Sequence, residues 1–125
     1  MPAIRYLADT HILLWSLAND ARLKTPHRKI LNSDAEVFFS AASIWEIAIK
    51  KSIGKLQAPD DLAGILKLAG YSPLAITPAH AEAVADLPRH HADPFDRLLI
   101  AQAAMEGLVL ITADKNMPAY DVRIV

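Results

Sequence analysis

The sequence predicts a single α/β domain, residues 1–125, built on a central, mostly parallel sheet of four to five strands. Two observations carry this. Short β-branched or aromatic runs alternate with helical stretches along the chain, and the run Leu108-Val109-Leu110-Ile111 is wholly apolar. Alternating elements argue for a parallel sheet covered by helices on both faces. An unbroken apolar run fits a strand buried on both sides. At 125 residues, 53% of them hydrophobic, the chain matches the commonest size of one domain and can build its core without staples.

Ile4 to Ala8 reads as the first strand and Thr10 to Leu17 as a short helix. Thr25-Pro26 marks a helix start, an oxygen-bearing cap followed by a residue that needs no amide partner. Glu36 to Ser40 is the second strand, after which Ser43 opens a helix that Gly54 can end in a left-handed conformation. Asp60 to Ala69 is another amphipathic helix, stopped by Gly70. Leu74-Ala75-Ile76 is the third strand, and Thr77-Pro78 repeats the helix-start signal. Asp93-Pro94 begins a helix that runs to about Glu106 and is closed by Gly107. Leu108 to Thr112 is the fourth strand, with Val122 to Val125 a candidate fifth. No repeat, low-complexity tract or long linker interrupts this order.

Composition excludes several classes. The formal charge of −1 rules out a generally basic surface, so any grip on a polyanion must come from local basic residues or bound cations. There is no cysteine, hence no disulfide framework and no cysteine-based zinc site, which fits a reducing cytoplasm. No charged-then-apolar leader opens the chain, and no apolar stretch reaches the ~20 residues that span a bilayer. A soluble cytoplasmic protein with no membrane partner is the expectation.

In parallel sheets the functional crevice lies beyond the carboxyl ends of the strands, and the acids collect there. Asp9 directly follows the first strand, and Asp114 lies two residues beyond the fourth. Glu46 is one turn into the helix after the second strand. Asp96 is in the first turn of the helix leading to the fourth, provided that Pro88 to Ala92 carries the chain back to that edge. Each has a plain structural explanation. Ser43-Ile44-Trp45-Glu46 is a capping-box pattern, and Asp93-Pro94-Phe95-Asp96 resembles one. Asp9 and Asp114 could be ordinary caps. Together these explanations weaken, because clustered carboxylates repel one another and lose solvation. A hard divalent cation compensates for both, and magnesium prefers carboxylate oxygens. Such a cation can activate water, clamp a phosphate oxygen and neutralise charge in a phosphodiester transition state.

Asp9-Thr10-His11 with Leu14-Trp15, the segment Ser40 to Glu46, the segment His91 to Ala103 with its Asp93-Pro94-Phe95-Asp96-Arg97 core, and Thr112-Ala113-Asp114 together resemble the motifs of the PIN-domain family. The nearest branch is the VapC-type toxins of bacterial toxin–antitoxin pairs, and the resemblance spans essentially the whole chain. It implies a three-layer α/β/α sandwich and a magnesium-dependent endoribonuclease, with manganese able to substitute. By motif it assigns Asp9, Glu46, Asp96 and Asp114 as catalytic and metal-binding acids. Asp96 is preferred to Asp93 because it immediately precedes the Arg-Leu-Leu-Ile-Ala helix, which leaves Asp93 as cap and outer partner. Thr10, Asp93, Arg97, Thr112 and Lys115 are candidate supports or RNA contacts beside the acids. One cation, or two with RNA bound, would let an activated water attack phosphorus, oriented by Glu46 or Asp114, leaving a 5′-phosphate and a 3′-hydroxyl. The resemblance further implies a cognate antitoxin and a homodimer.

Other features compete. His90-His91-Ala92-Asp93, with His11 and His80, invites a zinc reading, but no helical His-x-x-x-His pair supports it. The histidines are then candidate RNA contacts. Lys50, Lys51, Lys55, Arg97 and Lys115 could meet flanking phosphates, against a solvated helix face for the lysines and a local ion pair for Arg97. Trp15, Trp45, Phe38 and Phe39 read as core, or for the tryptophans as a subunit interface. A phosphate-receiver domain would need an Asp ending the third strand, where Ile76 runs into Thr77-Pro78. A haloacid-dehalogenase-like phosphatase would need Asp-x-Asp where Asp9-Thr10-His11 stands. The remaining alternative is a catalytically silent PIN-fold protein-binding module.

Overall fold

The computed structural model describes residues 3–125. Its elements follow the predicted alternation. Strand β1 (Tyr6–Ala8) leads to helices α1 (Thr10–Ala18) and α2 (Thr25–Leu31), then to β2 (Val37–Ser40). Helices α3 (Ala41–Ser52) and α4 (Leu62–Leu68) follow, then β3 (Ser72–Leu74). Helix α5 (Pro78–Ala83), a 3-10 turn at Val84–Asp86 and α6 (Pro94–Glu106) precede β4 (Val109–Ile111).

The sheet is fully parallel in the order β3-β2-β1-β4, with Tyr6 facing Val37 on one side and Val109 on the other. Side chains alternate across it, as strand geometry requires. Leu7, Phe38 and Leu110 point into one core with Leu98, Leu99, Ile100 and Ala103 of α6. Ala8, Val37, Phe39 and Ile111 point into the other, against Ile12 and Leu13 of α1, Ile47 of α3, and Leu62 and Leu66 of α4. Helices therefore cover both faces, a three-layer α/β/α sandwich. No helix among the described residues is long and apolar enough to cross a membrane.

Four expectations are corrected. The third strand lies at Ser72–Leu74 rather than 74–76, with Pro73 opposite Phe39. Proline gives the ladder no donor and is tolerated because β3 is an edge strand. The candidate fifth strand is a single parallel bridge, Ile124 beside Leu110. Helix α3 starts at Ala41, capped by Ser40, whose Oγ accepts from the Ala42 amide, so Ser43 and Glu46 do not form a capping box. Trp45 is 57% exposed, edge-on to Phe95, so of its two expected places the core one is excluded.

Candidate active site

The sheet reverses its direction of winding between β1 and β4. The first crossovers build outward through β2 to β3, and the last returns to the opposite side of β1. Such a switch point opens a crevice at the carboxyl ends of the two strands. Ala8 and Ile111 are paired there in register, and the Asp9 amide continues the ladder onto the Ile111 carbonyl at 3.0 Å. Asp9 and Thr112 thus meet across 103 residues of sequence.

Asp9 is buried and caps α1, accepting from the Ile12 amide on Oδ1 at 3.0 Å and from the Thr112 hydroxyl on Oδ2. Thr10 Oγ1 lies 2.9 Å from both Ser43 Oγ and Glu46 Oε1. It has one proton, and a carboxylate only accepts. Thr10 therefore donates to Glu46 and accepts from Ser43. The other Glu46 oxygen takes the Lys50 ammonium at 2.9 Å, one helical turn along α3. Across the crevice Asp93 caps α6, accepting from the Phe95 amide at 2.8 Å and the Asp96 amide at 3.1 Å. The Asp96 side chain takes no part in that cap. His91 Nε2 sits 3.0 Å from Asp96 Oδ2 and 3.0 Å from Asp114 Oδ2. Asp114 is fixed twice more, by the Asn116 amide on its Oδ1 at 2.8 Å and by its own amide donating to Thr112 Oγ1 at 3.0 Å.

The electrostatics record the crowding. Burial, then the charge of Asp93 and those of Asp9 and Glu46, push Asp96 up to about 7 against the pull of His91. Burial also raises Asp9, although the Thr112 and Ile12 bonds oppose it. Asp114 goes the other way, since the Asn116 amide and His91 outweigh its burial and lower it. Burial works against a charge on His91, but the Asp114 bond and the charges of Asp96, Asp114 and Asp93 prevail and raise it. The Glu46 bond raises Lys50.

The structure thus brings together Asp9, Glu46, Asp96 and Asp114, with Thr10, Thr112 and Asp93 in direct support. Arg97 forms no ion pair among the described residues; it donates to the carbonyls of Pro88 at 2.8 Å, Val84 at 3.0 Å and Leu87 at 3.3 Å, and so anchors the loop before α6. Lys115 is exposed beside Asp114, and Lys51 is paired with Asp60 at 2.5 Å. Nor does the four-histidine zinc constellation assemble. His80 is bound to Glu106 at the far end of α6, about 15 Å from Asp96 at 1.5 Å per helical residue. His11 and His90 are exposed, beside Trp15 and Tyr120. Sequence reasoning missed the bridging place of His91. Its only signal was its position two residues before the cap Asp93.

The donor set is one of hard oxygens whose charges repel, and Asp96 and Asp114 bring carboxylate oxygens within 4.8 Å of each other, with His91 Nε2 beside both. Those properties fit a small divalent cation.

The family model described as PIN domain matches residues 6–123. Ribonuclease VapC22 of Mycobacterium tuberculosis is 29% identical over 117 residues, spanning 91% of this chain and 90% of that protein. Among solved structures, VapBC2 from Rickettsia felis bound to a DNA fragment from its promoter matches with a TM-score of 0.72 at 12% identity, covering 98% of both chains. The DNA-bound VapBC of Salmonella typhimurium matches with a TM-score of 0.69 at 19% identity, covering 98% of this chain and 97% of that one.

Proposed function

Because the chain belongs to the PIN domain family, we propose that it is a metal-dependent endoribonuclease acting as the toxin of a toxin–antitoxin pair. The observation that carries this reading is the convergence of Asp9, Glu46, Asp96 and Asp114, from four separate segments, on the switch point of the sheet. The likeness to a ribonuclease over nine-tenths of the chain supports the substrate class.

Asp9, Glu46, Asp96 and Asp114 would hold the cation, magnesium or manganese. When bound, it supplies Lewis acidity that activates water and stabilises charge on the phosphoryl oxygens. The chain's own groups do the rest. The Thr112 hydroxyl and the Ile12 amide keep Asp9 aimed from the end of β1. Thr10 and Lys50 hold both oxygens of Glu46, so its carboxylate is oriented before substrate arrives. Glu46 or Asp114 orients the attacking water; the P–O3′ bond breaks, a proton from the water ends on the departing 3′-oxygen, and the products carry a 5′-phosphate and a 3′-hydroxyl. RNA is gripped locally, with Lys115 at the rim, since the net charge of −1 supplies no general attraction. The setting is cytoplasmic. The cognate antitoxin covers the acidic crevice, and two copies of the chain pair as a homodimer.

The test is cleavage of a panel of structured and single-stranded RNAs by antitoxin-free protein, with magnesium, with manganese and with chelator. A folded Asp9→Asn variant runs beside it. Cation-dependent cleavage that disappears in the variant supports the reading. Equal cleavage by both proteins overturns the site. No cleavage, with no cation binding by calorimetry, leaves a protein-binding module of the same fold.

A further inference from the structure

We propose that His91 is a positioning residue, holding Asp96 and Asp114 at one spacing for a divalent cation without ligating that cation itself. This rests on the metal-dependent reading above and deepens it.

The imidazole is fixed at three points. Its Nε2 hydrogen-bonds Asp114 Oδ2 at 3.0 Å and stands at ion-pair distance, 3.0 Å, from Asp96 Oδ2. Its Nδ1 accepts from the Asp93 amide at 3.2 Å. Its backbone amide donates to the Tyr120 hydroxyl at 2.8 Å, and that hydroxyl also takes an Arg97 N–H at 3.3 Å. The loop behind the ring is pinned by Arg97 through the Pro88 and Val84 carbonyls.

These bonds decide what the ring can do. A neutral imidazole has one N–H and one lone pair. The Asp93 amide faces Nδ1, so the lone pair is there and the proton is on Nε2. In the charged ring Nε2 is protonated as well. In neither form does Nε2 offer a lone pair to a metal, although it stands among the atoms a ligand would join. It donates to Asp114 and stands beside one Asp96 oxygen, while Asp96 Oδ1 takes no hydrogen bond from the described residues. Without it, Asp96 and Asp114 face each other with only repulsion between them. Groups that orient metal-ligating carboxylates in this way are typically worth about 10- to 100-fold in metal affinity.

The experiment is Mn2+ binding to RNA-free protein by calorimetry, for wild type, His91→Ala and His91→Gln. Thermal melts check that all three fold. Alanine is expected to weaken binding by about 10- to 100-fold. Glutamine, whose amide N–H reaches as far as Nε2, recovers most of the loss. Pulsed electron spin resonance of the Mn2+ complex is expected to show no directly bound nitrogen. Affinity unchanged in His91→Ala, glutamine as poor as alanine, or a nitrogen bound to manganese each overturns the proposal. Wild-type protein that binds no Mn2+ overturns the metal-dependent reading and this role together. Wild type that binds, with alanine its equal, overturns the His91 role alone.

Discussion

Asp96 carries an electrostatic load in the crevice, and that load has a sign. Its carboxyl titrates at about 7 in the cation-free protein, against an ordinary Asp value of about 3.9 in the unfolded chain. Between those values the folded protein binds more protons than the unfolded one, so stability falls as pH rises through the window. A divalent cation relieves the same repulsion only when Asp96 is ionised. The increase in Tm on adding Mn2+ should therefore be larger at about pH 8 than at about pH 5. Equal increases at both would show that Asp96 does not meet the ion. Thr112 gives a second prediction. Thr112→Val keeps the shape but removes the hydroxyl that Asp9 accepts from. Leaving that buried carboxylate oxygen unpaired costs about 1–3 kcal/mol in a denaturant melt, and cleavage should slow with it. At this scale the acids were legible in the sequence, because strand ends and helix starts placed them on one edge. His91 was not, since its role depends on which way a loop folds back. The plain explanations also proved compatible with the functional ones: Asp9 caps α1 with one oxygen and accepts from Thr112 with the other.

At the scale of elements, the turn from β2 into α3 sets the site. Ser40 is fully buried, caps α3 through the Ala42 amide and donates to Gln102 Oε1 at 2.5 Å. Ser40→Ala removes the cap, worth about 1 kcal/mol, and strands a buried amide oxygen at a further cost of about 1–3 kcal/mol. Asp93→Ala acts on α6 in the same way, at about 1 kcal/mol for the lost cap. It also removes a negative neighbour, so the pKa of Asp96, followed by NMR titration, should fall from about 7. Sequence reading found both helices and misplaced one cap. The Ser-x-x-Glu pattern favoured Ser43, but β2 remains paired as far as Ser40 opposite Leu74, and the helix begins directly after it. The third strand slipped by two residues for a related reason. Apolar Ala75 and Ile76 look like sheet, yet the Ala75 carbonyl is taken by Gln102 Nε2 at 3.2 Å.

For the molecule as a whole, the parallel sheet with helices on both faces was readable from the alternation of elements, and the switch point was not. Strand order depends on which side of β1 the last crossover returns to, and no local residue pattern encodes that choice. The expected fifth strand illustrates the limit. Residues 123–125 do lie along the free edge of β4, with the Leu110 amide bound to the Arg123 carbonyl at 2.9 Å and the Val125 amide to the Leu110 carbonyl at 3.0 Å. Only one residue pair reaches ladder geometry. Val125→Pro deletes one of those bonds, at about 1 kcal/mol, and should speed hydrogen exchange at the Leu110 and Thr112 amides.

The pairing of Asp9 with Thr112 also orders events in time. Asp9 leaves the ribosome 103 residues ahead of Thr112, which follows its partner strand β4. Until β4 inserts beside β1, Asp9 lacks its hydroxyl donor and the crevice lacks one wall. A nascent chain therefore cannot complete the crevice until β4 has been made and has paired with β1.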